Sequence, residues 1–220
     1  MAKIKLSLLG LSLITFASFT IFSYSVAKET WTKLDFDTTV KLQDHISRAF
    51  DPYFSYFSVI GGVELTLGMV GILALLSLLR LRFLAFLAWL LVIPATFLEV
   101  FGKLILFHPA PPVLLHRSIF EAELPKYYIH TNFSYPSGHM TRTIFILTVF
   151  AVIIFFSWKK SLNKLFILIG IIFFAFMMAL TRVYLGEHWL SDVVGGLLLG
   201  LSTGLFSSIF ILRNGKKISS

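Results

Sequence analysis

The stretch "PSGHMTRTIFILTVFAVIIFF", residues 136–156, decides how the rest of the chain is read. It opens on a Pro-Ser-Gly turn, sets His139 and Arg142 three residues apart, and then runs through hydrocarbon side chains. A run this long and this apolar crosses a bilayer as a helix, which takes roughly 20 residues. A titratable ring and a guanidinium at the mouth of such a segment are costly there, so they are candidates for function.

Working outward, the whole chain repeats the pattern. Its 220 residues are 57% hydrophobic and include 24 Phe, with a mean hydropathy of +0.86. A soluble domain of this length needs far more polar surface. Six spans are predicted, at residues 4–27, 57–79, 83–107, 139–158, 165–180 and 189–212. The first has a second reading: "MAKIK", an apolar run and "SVAKE" resemble a signal peptide cleaved after Ala27, although the run is longer than the usual signal core. There is no Cys, which excludes disulfides, thiolate metal sites and Cys nucleophiles.

The net charge of +8 would suggest nucleic acid in a soluble protein. Here it sorts by side of the membrane. "MAKIK", "RLRF", "SWKKSLNK" and "RNGKKISS" hold ten Lys or Arg and no acid, and all four fall on one side of the six-span layout. Short basic loops stay in the cytoplasm, so both termini are expected there and the long segments 28–56 and 108–137 outside. The charge then serves topology and contact with membrane phospholipids, not nucleic-acid binding. Residues 30–50 mix charged and apolar side chains at helical spacing and read as an interfacial helix after the first span. The expectation is an all-α membrane protein in a plasma membrane. It is a six-transmembrane-helix bundle with an outward-facing active site, and residues 1–220 form one domain.

The polar groups in and beside the spans are Glu64, Glu99, Lys103, His139, Arg142, Arg182, His188 and Asp192. All lie in the outer halves of their spans, where they could share one pocket. His188 and Asp192 are at i and i+4 on one helix face. An Asp accepting from one ring nitrogen frees the other to attack; the plainer alternative is a pair that caps a helix. Ser137 and Gly138 stand where a helix begins, and free N–H groups with a hydroxyl can cradle an anion there. The alternative is an ordinary N-cap. Lys103 and Arg182 supply positive charge for a phosphate, or snorkel to the interface. Arg142 either joins the phosphate site or pairs with Glu64 or Glu99. Glu99 and Lys103 are themselves an i, i+4 pair.

"PSGH" and "TRVYLGEHWLSD" closely resemble the second and third signature motifs of the type 2 phosphatidic acid phosphatase (PAP2) superfamily, with Thr181 in place of the usual Ser. The first signature, K-x6-R-P, is matched by Lys103 and Pro111, but Ala110 stands where Arg is expected. Arg142 and Arg117 are the candidate substitutes. The resemblance implies a metal-independent lipid phosphatase without a cofactor. His188 would be the nucleophile, Asp192 its orienting group and His139 the acid for the leaving oxygen. Lys103, Ser137, Gly138 and Arg182, with Arg142 as a further candidate, would hold the phosphate. The substrates implied are phosphatidylglycerophosphate, phosphatidic acid or undecaprenyl pyrophosphate. A weakened lipid-binding or transport protein is the reading from another class. Oligomeric state is left open.

Overall fold

The computed structural model describes residues 2–120, 133–157 and 162–212. Lys159, Lys160 and the basic tail from Arg213, all counted in the charge asymmetry, and residues 121–132 of the long segment 108–137 lie outside the described residues. Among the described residues the chain is helical and has no strand. The helices are α1 (Ala2–Ala27), α2 (Thr32–His45), α3 (Asp51–Val59), α4 (Val63–Leu79), α5 (Phe83–Trp89), α6 (Val92–Ile105), α7 (Gly138–Ser157), α8 (Leu162–Tyr184) and α9 (Leu190–Ile211). Six runs are long and apolar enough to cross a membrane, because α3 with α4 and α5 with α6 each make one span.

Two boundaries differ from the sequence expectation for local reasons. The second span begins at Arg48, ahead of the expected 57. Pro52 lies in the first turn of α3, where its fixed φ suits a helix start, and the chain breaks at Gly61 and Gly62 before α4 resumes. The fifth span runs on to Tyr184, so Arg182 sits on the last turn of α8 and not in a loop.

The outside of the bundle is apolar. Leu13, Ile72, Phe97, Ile172 and Phe173, from four different helices, are all exposed, as expected where the surrounding medium is hydrocarbon. The inside is set by close backbone approach. Helix α7 is central and packs most extensively on α9, with α4, α6 and α8 also against it. On α9 the glycines at 196, 200 and 204 follow i, i+4, i+8 spacing. A Cβ there would meet Ser137 O at 2.5 Å, Thr141 O at 2.6 Å and Phe145 O at 2.9 Å respectively. Small residues at this spacing let two membrane helices dock backbone to backbone. Helix α1 lies on the other side of α9, with Ser12 and Ser202 donating to each other's carbonyls at 2.9 and 3.0 Å.

Helix α2 turns its polar face inward. Its buried side chains are Asp35, Thr39 and Gln43, one turn apart on one stripe, while Leu34 and Phe36 are exposed. Gln43 donates to the carbonyls of Leu115 at 2.7 Å and Tyr184 at 2.8 Å. A helix with apolar residues outward and hydrogen-bonding residues inward fits the edge of a membrane, capping the end of the bundle.

Candidate active site

The turn between α8 and α9 positions the first pair. Gly186 has a φ of +66°, in the left-handed region where a side chain is strained. A Cβ there would also run into the carbonyl of Leu115. The turn delivers His188 to the start of α9. His188 Nδ1 lies 3.1 Å from Asp192 Oδ2, and the same oxygen accepts the Trp189 backbone N–H at 3.0 Å. One carboxylate oxygen therefore both caps the helix and orients the ring, so the two sequence readings of this pair describe one contact. An acceptor on Nδ1 places the proton there and leaves a lone pair on Nε2. Burial, then the positive charges of Arg182 and Lys103, hold the His188 pKa well below its ordinary value of 6.5. The ring is neutral at pH 7, the form that can attack an electrophile.

The start of α7 lies against the start of α9. The Ser137 N–H donates to the Asp192 carbonyl at 3.0 Å, and Thr141 N returns to Ser137 O at 3.0 Å, so Ser137 caps α7 through its backbone. Its hydroxyl is fully buried and has no hydrogen-bond partner among the described residues. A buried hydroxyl without a partner is destabilising unless a ligand or water completes it. The His139 ring fills the gap at the α3–α4 break, where a Cβ on Gly61 would stand 3.0 Å from His139 Cδ2 and 2.9 Å from Met178 Sδ.

Three cations converge here, each beside a carboxylate. Lys103 donates to Glu99 Oε1 at 2.8 Å, and Arg142 donates to Glu99 Oε2 at 2.7 Å and from Nε to Thr66 Oγ1 at 3.2 Å. Arg182 bonds Ser58 Oγ and pairs with Glu187, while its Nε is buried with no partner among the described residues. The structure thus pairs Arg142 with Glu99 and not with Glu64, which is exposed on α4. Gly138 sits directly on this cluster, because a Cβ there would fall inside the Glu99 carboxylate. Ala110 is exposed in the loop beside Pro109, whose carbonyl accepts from Trp189 Nε1 at 2.7 Å. Arg117 is engaged elsewhere: it donates to Tyr184 Oη at 3.1 Å, and its guanidinium lies 5.2 Å from that ring's centre.

Sequence reasoning missed Asp35, His108 and Ser191. Asp35 accepts from Ser191 N at 2.8 Å and from Ser191 Oγ at 2.7 Å. Ser191 Oγ also meets His108 Nε2 at 3.0 Å. That nitrogen is 3.4 Å from Asp192 Oδ1. All three side chains are buried. The one available signal was the polar stripe 35, 39, 43 in an otherwise half-apolar helix; nothing local marks His108. Burial pulls the His108 pKa below its ordinary 6.5 despite the nearby Asp192 and Glu29 charges.

Among the described residues no cluster of three or more His, Asp or Glu is arranged to hold a metal ion. The chemistry on offer is a neutral imidazole with a free nitrogen, a second imidazole, three cations and a hydroxyl at a helix N-terminus.

Comparisons with known proteins find relatives in fold and in sequence. The fold is similar to the crystal structure of a transmembrane PAP2-type phosphatidylglycerolphosphate phosphatase from Bacillus subtilis, with a TM-score of 0.68 and 20% identity over 90% of this chain and 93% of that one. It is also similar to Aquifex aeolicus LpxE, with a TM-score of 0.57 and 21% identity over 79% of this chain and 94% of that one. In sequence, 77 residues are 38% identical to phosphatidylglycerophosphatase B of Bacillus subtilis; the match spans 32% of this chain and 36% of that relative. The model of the PAP2 superfamily matches residues 82–216, which include α5 to α9 and every residue of the site except those supplied by α2, α3 and α4. The chain belongs to the PAP2 superfamily.

Proposed function

We propose that this protein is a membrane-integrated lipid phosphatase that hydrolyses the phosphate monoester or pyrophosphate of a lipid on the outer face of the cell membrane. The observation that carries this reading is His188, neutral and buried, with Nδ1 committed to Asp192 and Nε2 free. His188 Nε2 attacks phosphorus, and the bond from phosphorus to the lipid oxygen breaks. His139 gives that oxygen its proton, and a phosphohistidine remains on the chain. Water then attacks phosphorus, the N–P bond breaks, inorganic phosphate leaves, and the water's proton returns to His139.

Lys103, Arg182, the Ser137 hydroxyl and the first N–H groups of α7 surround the transferred group, where charge grows on its equatorial oxygens. Donors fixed in advance stabilise that charge without reorganising. Arg142 supports this group indirectly, by sharing Glu99 with Lys103. The side of the membrane follows from charge: Lys3, Lys5, Arg80, Arg82 and Lys164 lie at the end of the bundle opposite the starts of α7 and α9, which supports a cytoplasmic assignment for that end.

The test is phosphate release by the purified protein in detergent from phosphatidylglycerophosphate, phosphatidic acid and undecaprenyl pyrophosphate. At least one should be hydrolysed, and His188→Ala should lose turnover while keeping its melting temperature. Tight binding of these lipids without release would instead support a lipid-binding protein. Full activity in folded His188→Ala would remove the nucleophile.

A further inference from the structure

From the buried chain Asp35, Ser191, His108, Asp192 we infer that Asp35 and His108 are positioning residues, which set the orientation of the His188 ring through Asp192. The inference rests on the reading of His188 as nucleophile.

The proton positions follow one another. Ser191 has a single hydroxyl proton, and it points to Asp35 Oδ2 at 2.7 Å. Its oxygen can therefore only accept from His108 Nε2 at 3.0 Å, which places the His108 proton on Nε2. That N–H also faces Asp192 Oδ1 at 3.4 Å, the carboxylate oxygen with no hydrogen bond of its own. Asp192 Oδ2 is thereby left for His188 and the helix N-terminus. Ser134 is the other polar side chain that bears on this carboxylate, so without the donor at His108 the fully buried Oδ1 loses one of its few polar neighbours and the carboxylate is freer to turn away from His188. His188 then loses the acceptor that fixes its tautomer.

The network also explains why α2 carries Asp35 on its inner face. Asp35 grips both the backbone N–H and the hydroxyl of Ser191, which pins the first turn of α9. A segment outside the membrane spans thus fixes a residue inside them. Groups that hold a reactive side chain in place without touching substrate typically contribute 10- to 100-fold, as in the outer shells of metal sites.

The experiment uses the full-length protein in detergent, with short-chain phosphatidic acid as probe. His108→Leu and Asp35→Asn should lower kcat by roughly 10- to 100-fold with KM within about twofold. His108→Gln, whose amide restores an N–H near Nε2, should recover most of that loss. In an Asp192→Ala background, His108→Leu should cost nothing further, because its effect passes through Asp192. Should His108→Leu not fold, Ser191→Ala takes its place with the same expectation, since it removes only the hydroxyl that fixes the tautomer. Unchanged kcat in these variants, equal losses in His108→Leu and His108→Gln, or a full additional loss in the Asp192→Ala background would overturn the inference. Loss of the nucleophile reading looks different: folded His188→Ala would then turn over like the native protein.

Discussion

Arg142 donates to Glu99 Oε2 at 2.7 Å, joining α7 to α6 in the interior of the site. Both side chains are buried, and the other Glu99 oxygen holds Lys103 at 2.8 Å. Removing one partner of a buried pair usually costs about 3–5 kcal/mol by stranding the other. Lys103 remains to compensate Glu99, so Arg142→Ala should lower stability by less than that. Adding Glu99→Gln should recover part of the loss. Turnover per folded molecule should fall only a few-fold. Melting temperature and kcat/KM, measured around the double-mutant cycle, check this. A loss of about a hundredfold in kcat/KM without a change in melting temperature would instead assign Arg142 to the phosphate.

Gly138 is the close approach on which this cluster depends. Gly138→Ala puts a methyl group into the Glu99 carboxylate, and overpacking of this kind typically costs about 1–3 kcal/mol. The variant should melt earlier and release phosphate poorly, because Lys103 and Arg142 are displaced with Glu99. Pairing it with Glu99→Ala should not restore the melting temperature, because removing the carboxylate relieves the clash but strands Lys103 and Arg142. A Gly138→Ala protein that matches the native one in both measurements would contradict the packing described here.

For His139 the informative quantity is the leaving group. A lipid alkoxide needs a proton in the transition state, whereas an aryl phosphate leaves with little help. His139→Ala should therefore lose far more turnover on phosphatidic acid than on p-nitrophenyl phosphate, by a further factor of roughly 10 or more. Parallel rate measurements on the two substrates decide it, and equal losses would remove His139 from the role of acid.

Asp35 gives the protein a pH signature. Burial raises its carboxyl from the ordinary 3.8 to about 6, helped by the Asp192 charge and opposed by the two Ser191 hydrogen bonds. The folded state then binds more protons than the unfolded chain between those values, so this group's contribution to stability falls as pH rises from 3.8 to about 6 and is flat above. His108 works the other way: with its pKa lowered, folding loses stability as pH drops below 6.5. The melting temperature of Asp35→Asn, minus that of the native protein, should rise across pH 4 to 6 and then level off. A difference that stays constant over that range would show an ordinary carboxyl at position 35.

Contacts within one helix or one turn were legible in the chain itself. The i, i+4 spacing of His188 with Asp192 and of Glu99 with Lys103 places each pair on one face wherever the helix goes, and both contacts are present at 3.1 and 2.8 Å. The six apolar runs and the turn at residues 136–138 are local in the same sense, since period, length and Pro-Gly chemistry act over a few residues. Three relationships depended on which helix lies beside which. Arg142 had two Glu candidates, and docking of α6 on α7 chose Glu99. Arg182 found Ser58 because the α3–α4 span lies beside α8. Asp35 reached Ser191 across 156 positions of sequence because α2 folds back over the end of α9. Such pairings are set by the close fit of glycine-lined surfaces and by the need of each buried polar atom for a partner. Those conditions act between segments distant in sequence, so only the tertiary structure decides them.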